Sequence, residues 1–166
     1  MRLSPFAASL ALLLAACSPG AGEASPAADQ TAGGQAAGAV HPVSGLVVVP
    51  LTITGGNARH TFRVEVAGTS AEQAKGLMFR TQMGPDEGMI FPMNPPRMAS
   101  FWMRNTVIPL DLIFIGPDGR ILNIAANAVP YDERPLSSAG LVKGVLELGG
   151  GRAAQLGIVA GDLVEW

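Results

Sequence analysis

From residue 46 to residue 166, apolar side chains recur at every second position in short runs, and each run stops at Gly, Pro, Asn or Asp. A period of two is that of a strand with one face on a core, so this stretch reads as short β-strands joined by tight turns. Residues 46–54 are β-branched and apolar and lead into the turn Gly55-Gly56-Asn57. In residues 60–67, Phe62, Val64 and Val66 share one face while Thr61, Arg63 and Glu65 share the other, which predicts a hairpin with one wet face. Thr69 followed by Glu72 is a capping box, so a short helix should begin there, with Ala71, Ala74, Leu77 and Met78 as its apolar stripe and Gly76 as its weak point. Further strands are expected over 88–93, 98–104, 110–115, 120–128, 142–148 and 162–166. Gly116-Pro117-Asp118-Gly119 is a tight turn, 130–138 is a loop, and 152–156 is a single helical turn ended by Gly157. The pattern predicts a mainly β fold, a single small antiparallel sandwich or barrel with one or two short helices.

The segment before this domain differs in kind. Met1 and Arg2 open a mostly apolar run that ends at Leu14-Ala15-Ala16-Cys17. The run is shorter than the ~20 residues that span a bilayer, and fits a secretory signal over residues 1–16. Its end resembles the lipobox of bacterial lipoproteins, in which the cysteine takes a lipid and becomes the mature N-terminus. That resemblance implies lipidation at Cys17, a membrane partner through that lipid, and a periplasm-facing place in the cell envelope. Ser18 in the next position implies the outer membrane. From Ser18 to about Gly45 the chain is rich in Ala, Gly, Pro and Ser. It lacks the apolar surface to order itself, so 17–45 reads as a lipidated cysteine on a flexible tether with a span of about 30 Å. The folded domain is then 46–166, long enough to bury roughly two-thirds of its unfolded surface.

Composition removes several classes of function. The formal net charge is −2, so no broad basic field would draw nucleic acid, and none is expected as a partner. The single cysteine, Cys17, excludes an internal disulfide and a cysteine-based zinc site. No G-x-S-x-G, H-E-x-x-H or phosphate-binding glycine loop occurs, so the common hydrolase, protease and nucleotide classes lose weight and no cofactor or metal is expected.

A set of blocks in fixed order carries a further resemblance: GLMFR at Gly76–Arg80, GMIF at Gly88–Phe91, FWMRNT at Phe101–Thr106, IPLDLIFI at Ile108–Ile115, VLELGGG at Val145–Gly151 and GIVAGD at Gly157–Asp162. Together they resemble a widespread prokaryotic family known as domain of unknown function one-nine-two. The resemblance covers nearly all of the domain. It implies a compact β fold of jelly-roll-like character and implies no reaction.

The polar residues inside these blocks are the candidates for a site. Asp111 lies among apolar neighbours, where a carboxylate must be hydrogen-bonded or paired. It is either a brace for the loop around Asn105 and Thr106 or a ligand-binding group. Arg80 and Arg104 could hold a carboxylate, phosphate or sugar hydroxyl, or could pair with Asp111 or Glu147. Trp102 should face away from Phe101 and Met103; if those fill the core, it is the more exposed side chain, either a sugar-stacking platform or a ring packed under a loop or against the helix with its N–H satisfied. Glu147 with Asp111 could make the carboxylate pair of a glycoside hydrolase, or both could be structural. Six of the seven methionines lie between Met78 and Met103, a composition that suits either Cu(I) or an irregular core. The expectation is an envelope-tethered binding module for a small polar ligand or glycan, without a catalytic nucleophile, built from Arg80, Trp102, Arg104, Asn105, Thr106, Asp111 and Glu147. The alternatives are a glycan hydrolase using Asp111 and Glu147, soft-metal handling, or a structural envelope protein.

Overall fold

The structure, a computed structural model, describes residues 39–166. The signal segment, Cys17 and the tether up to residue 38 lie outside the described residues. Residues 39–45, assigned to the tether on sequence, form a turn closed by a bridge between Val40 and Val47, with the His41 N–H donating to the Leu46 carbonyl at 2.8 Å.

Strands β1 (Val48–Gly55) and β2 (Ala58–Val66) form the expected hairpin, in register from Val48↔Glu65 to Gly55↔Ala58. The chain then crosses over through helix α1 (Ser70–Lys75), so that β3 (Glu87–Arg97) returns parallel to β2. The capping box is formed: Thr69 Oγ1 accepts from the Glu72 N–H at 3.2 Å, and Glu72 Oε2 accepts from the Thr69 N–H at 2.7 Å. The expected stripe is not. The helix ends at Lys75 and buries none of its residues, leaving Ala71 and Ala74 exposed, and only Leu77, beyond its end, enters the core. Six residues are too few to offer both ends and a face to the sheet.

The expected strand over 98–104 is also shorter. Only β4 (Ser100–Phe101) is extended, and it pairs with β7 (Leu136–Ser137) inside the stretch read as a loop. After Phe101 the chain needs its polar groups for a turn at 103–106, where the Thr106 N–H donates to the Met103 carbonyl at 3.1 Å. Strand β5 (Leu110–Ile115) is buried at every position and lies between β6 (Ile121–Ala128) and β8 (Val142–Gly149). Helix α2 (Arg152–Leu156), ended by Gly157, and β9 (Leu163–Glu165) complete the chain.

One seven-stranded, mostly antiparallel sheet results, in the order β6-β5-β8-β3-β2-β1-β9. Its outer strands approach each other at a single bridge, Arg120↔Leu163, so the sheet curls but is not closed into a barrel. Alternation along the strands serves two cores, one on each face. Leu51, Phe62, Val64, Ile90, Ile113 and Leu146 fill one, with Ala153 of α2 and Val164 of β9. Met89, Phe91, Met93, Leu112, Phe114 and Val145 fill the other, covered by Leu77, Met103 and Phe101. The groove described next lies on this second face.

Candidate functional site

Glu147 sits in the middle of β8, paired with Met89 of β3 on one side and Leu112 of β5 on the other. Those partners place its side chain on the second core's face, with 5% of the residue exposed. None of the hydrogen bonds among the described residues reaches its carboxyl, and burial alone pushes that group up to about 8. The carboxyl is therefore mostly protonated at neutral pH. It forms part of the floor of a groove of about 400 Å³ between the end of α1, the end of β3 and residues 98–106.

Three other expected residues line the same groove. Trp102 is 48% exposed, beside the buried Met103. The Arg104 guanidinium lies 4.4 Å from the Trp102 ring centroid. Its fork is held by Glu133, with Nε to Oε1 at 3.1 Å and Nη2 to Oε2 at 2.8 Å, which raises the arginine and lowers the glutamate from their ordinary values. Thr106 is buried, and its hydroxyl donates to the Arg104 carbonyl at 3.3 Å. Asn105 takes part in another way. It adopts a left-handed φ of 54°, accepts the Phe79 N–H on its carbonyl at 2.8 Å, and directs its amide at the Met78 sulfur 3.8 Å away. It shapes the groove wall without lining the groove.

Asp111 and Arg80 lie elsewhere. Asp111 pairs with Leu148, one position along from the Leu112↔Glu147 pair, so its side chain leaves the opposite face of the sheet. It is fully buried, and its Oδ1 accepts from the N–H groups of Asn127 at 2.7 Å and Gly151 at 2.9 Å. Its Oδ2 accepts from the Ala153 N–H at 2.8 Å. The carboxylate thus caps α2 and pins the end of β6. Gly150 is required beside it, because a Cβ there would come within 2.7 Å of Pro109 and of the Asn127 side chain. With the sheet between them, Asp111 and Glu147 cannot flank one glycosidic bond.

Arg80 makes a two-pronged ion pair with Glu65, Nη1 to Oε1 at 2.9 Å and Nη2 to Oε2 at 3.0 Å, and His41 Nε2 stands 3.6 Å from the same carboxylate. Glu65 was expected on a wet face and is 3% exposed, because the segment after α1 folds Arg80 back over it. Arg80 and His41 face a separate cavity of about 980 Å³ under the 41–46 turn. In the sequence Glu65 is one more polar member of an alternating strand, with nothing to signal its burial. The methionines divide: Met89, Met93 and Met103 are buried in the second core, while Met98 is 58% exposed at the groove. No group of three or more His, Cys, Asp or Glu residues that could hold a metal ion occurs among the described residues.

These features define a class: a small single-sheet β domain with a groove floored by an unpartnered carboxyl. The chain belongs to the DUF192 family, described as an uncharacterized ACR, whose model matches residues 51–166. It is similar to a protein of unknown function from Novosphingobium aromaticivorans DSM 12444, with 69% identity, a TM-score of 0.77, and 80% of this chain and 94% of that one covered. It is also similar to a protein described as a candidate transcription regulator from Sinorhizobium meliloti 1021, with 38% identity, a TM-score of 0.70, and 72% and 94% covered. No curated protein matches.

Proposed function

We propose that the domain is a binding module for a small polar ligand, held at the cell envelope by a lipid on Cys17, and that Glu147, Trp102, Arg104 and Thr106 form its site. The supporting observation is the Glu147 carboxyl, 95% buried without a protein donor and open to a groove. Its oxygens face the groove without a protein donor, so a ligand that brings hydrogen-bond donors would supply partners that the protein does not. Trp102 provides an exposed ring beside that floor, already stiffened by Arg104. Arg80 and Asp111 belong to the fold, and Asn105 to the groove wall.

A thermal-shift screen with envelope glycans, peptidoglycan fragments, amino acids and metal ions tests this. A ligand at 100 times its dissociation constant stabilises by about 2.7 kcal/mol, a midpoint rise of about 3–6 °C. The rise should disappear in Trp102→Ala and persist in an Arg80→Lys variant that remains folded. Ligand shifts insensitive to Trp102 would place binding outside the groove. The anchor is tested separately: Cys17→Ser should move the protein from the membrane to the soluble fraction of the envelope, and unchanged fractionation would refute lipid attachment there.

A further inference from the structure

We infer that the groove takes a zwitterionic amine, a free amino acid with an apolar side chain, with its ammonium on the Glu147 carboxyl and its carboxylate between Arg97 and Lys75. This rests on the reading of the groove as a ligand site. The floor decides the amine. Glu147 receives no donor from the protein, so a ligand that brings N–H donors would complete it. An ammonium brings three N–H groups and a charge that favours the ionised carboxylate, which burial alone disfavours.

The walls decide the apolar body. Met78, Met93, Met98, Phe91, Phe101 and Leu77 line the groove. Thioether and aromatic surface adapts to an aliphatic or aromatic side chain. A sugar would need a ring of hydroxyl partners, and two of the groove's polar side chains are already engaged: the Thr106 hydroxyl donates to the Arg104 carbonyl, and the Gln73 amide donates to the carbonyls of Ala67 at 3.1 Å and Pro92 at 2.9 Å. The volume, about 400 Å³, lies toward the small end for ligand sites.

The rim decides the carboxylate. Arg97 and Lys75 are exposed lining residues, and neither forms an ion pair among the described residues. Arg97 gives one N–H to Gln73 Oε1 at 3.2 Å, whereas Arg104 is held by Glu133. Two cations without carboxylate partners line the same groove as a buried carboxyl, the charges that a zwitterion would complement.

Isothermal titration of the full-length chain with methionine, leucine and phenylalanine tests the inference, alongside their N-acetyl derivatives, phenethylamine and chitobiose. One or more of the free amino acids should bind one to one. At pH 7 binding should release a proton from Glu147, seen as a heat that depends on the buffer. N-acetylation should weaken binding at least tenfold, as should Glu147→Gln, whose neutral amide keeps the shape of the floor. Phenethylamine should bind more weakly than phenylalanine, and Arg97→Ala should remove that difference. Equal binding of acetylated and free forms, or full binding by Glu147→Gln, overturns the inference. So does chitobiose binding with no amino acid bound, although that outcome leaves the groove as a ligand site. No binding by any probe overturns the inference and leaves the groove as a ligand site to the thermal-shift screen.

Discussion

The two carboxyl groups that neighbour each other across the β5–β8 ladder are buried among different partners. Asp111 accepts hydrogen bonds from the backbone N–H groups of Asn127, Gly151 and Ala153, so its oxygens are satisfied by the protein itself. Asp111→Ala strands those donors and should cost on the order of 3 kcal/mol by urea unfolding. Glu147 has no such shell, and its folded value near 8 stands above the ordinary 4.5. Below pH 4.5 the group is neutral in both folded and unfolded chains and costs nothing. As pH rises from 4.5 to 8 the unfolded chain gives up the proton and the folded chain keeps it, so stability falls, then levels off above 8. Glu147→Gln should flatten that slope, matching the wild type at pH 4 and exceeding it by about 4 kcal/mol at pH 8. An unchanged slope would mean that another group carries the pH dependence. Both residues stood out in the sequence as acids inside apolar blocks. Their opposite faces did not, because alternation orders side chains within a strand and says nothing of the offset between strands. For Glu65 and Arg80 even the partnership was hidden, since it joins a strand to a loop across a helix.

Local chemistry written into consecutive residues was the most legible layer at the scale of elements. The Thr69–Glu72 capping box, the Gly116–Gly119 turn and the fully buried strand β5 each formed where expected. Each depends on partners a few residues away or on burial of both faces. Because α1 buries none of its residues, its stability rests heavily on its caps. Thr69→Ala should therefore cost about 1 kcal/mol and loosen the groove wall from Gln73 to Met78, read as faster amide exchange there while the sheet stays protected. Equal exchange across wall and sheet would show that the wall opens only on global unfolding. The ribbon of β4 and β7 was not legible. Two residues a side hold no period, and the pairing exists because the second core needs Phe101 and Leu136 as cover.

The whole molecule is a sheet whose sequence neighbours are often not its spatial neighbours. The hairpins were readable, but the parallel joint of β2 with β3 and the place of β9 beside β1 were not, because they are set by which edges remain open once the local pairs have formed. Strand β9 carries Val164, 1% exposed, into the first core and supplies the bridge to Arg120. Ending the chain after Asp162 should lower the melting midpoint by roughly 10 °C or more and promote association through the uncovered edge of β1. A truncated chain that melts as the intact one does would show that the bridge and Val164 contribute little. The position of β9 also has a consequence in time. During synthesis, β1 emerges first, and more than a hundred residues must follow before its second neighbour exists. Until residues 163–165 arrive, the nascent chain carries an unfilled slot in its sheet, and long-range pairing of this kind is slow to form. The order of residues thus acts as a clock: the sheet reaches its finished order only once residues 163–165 have been made.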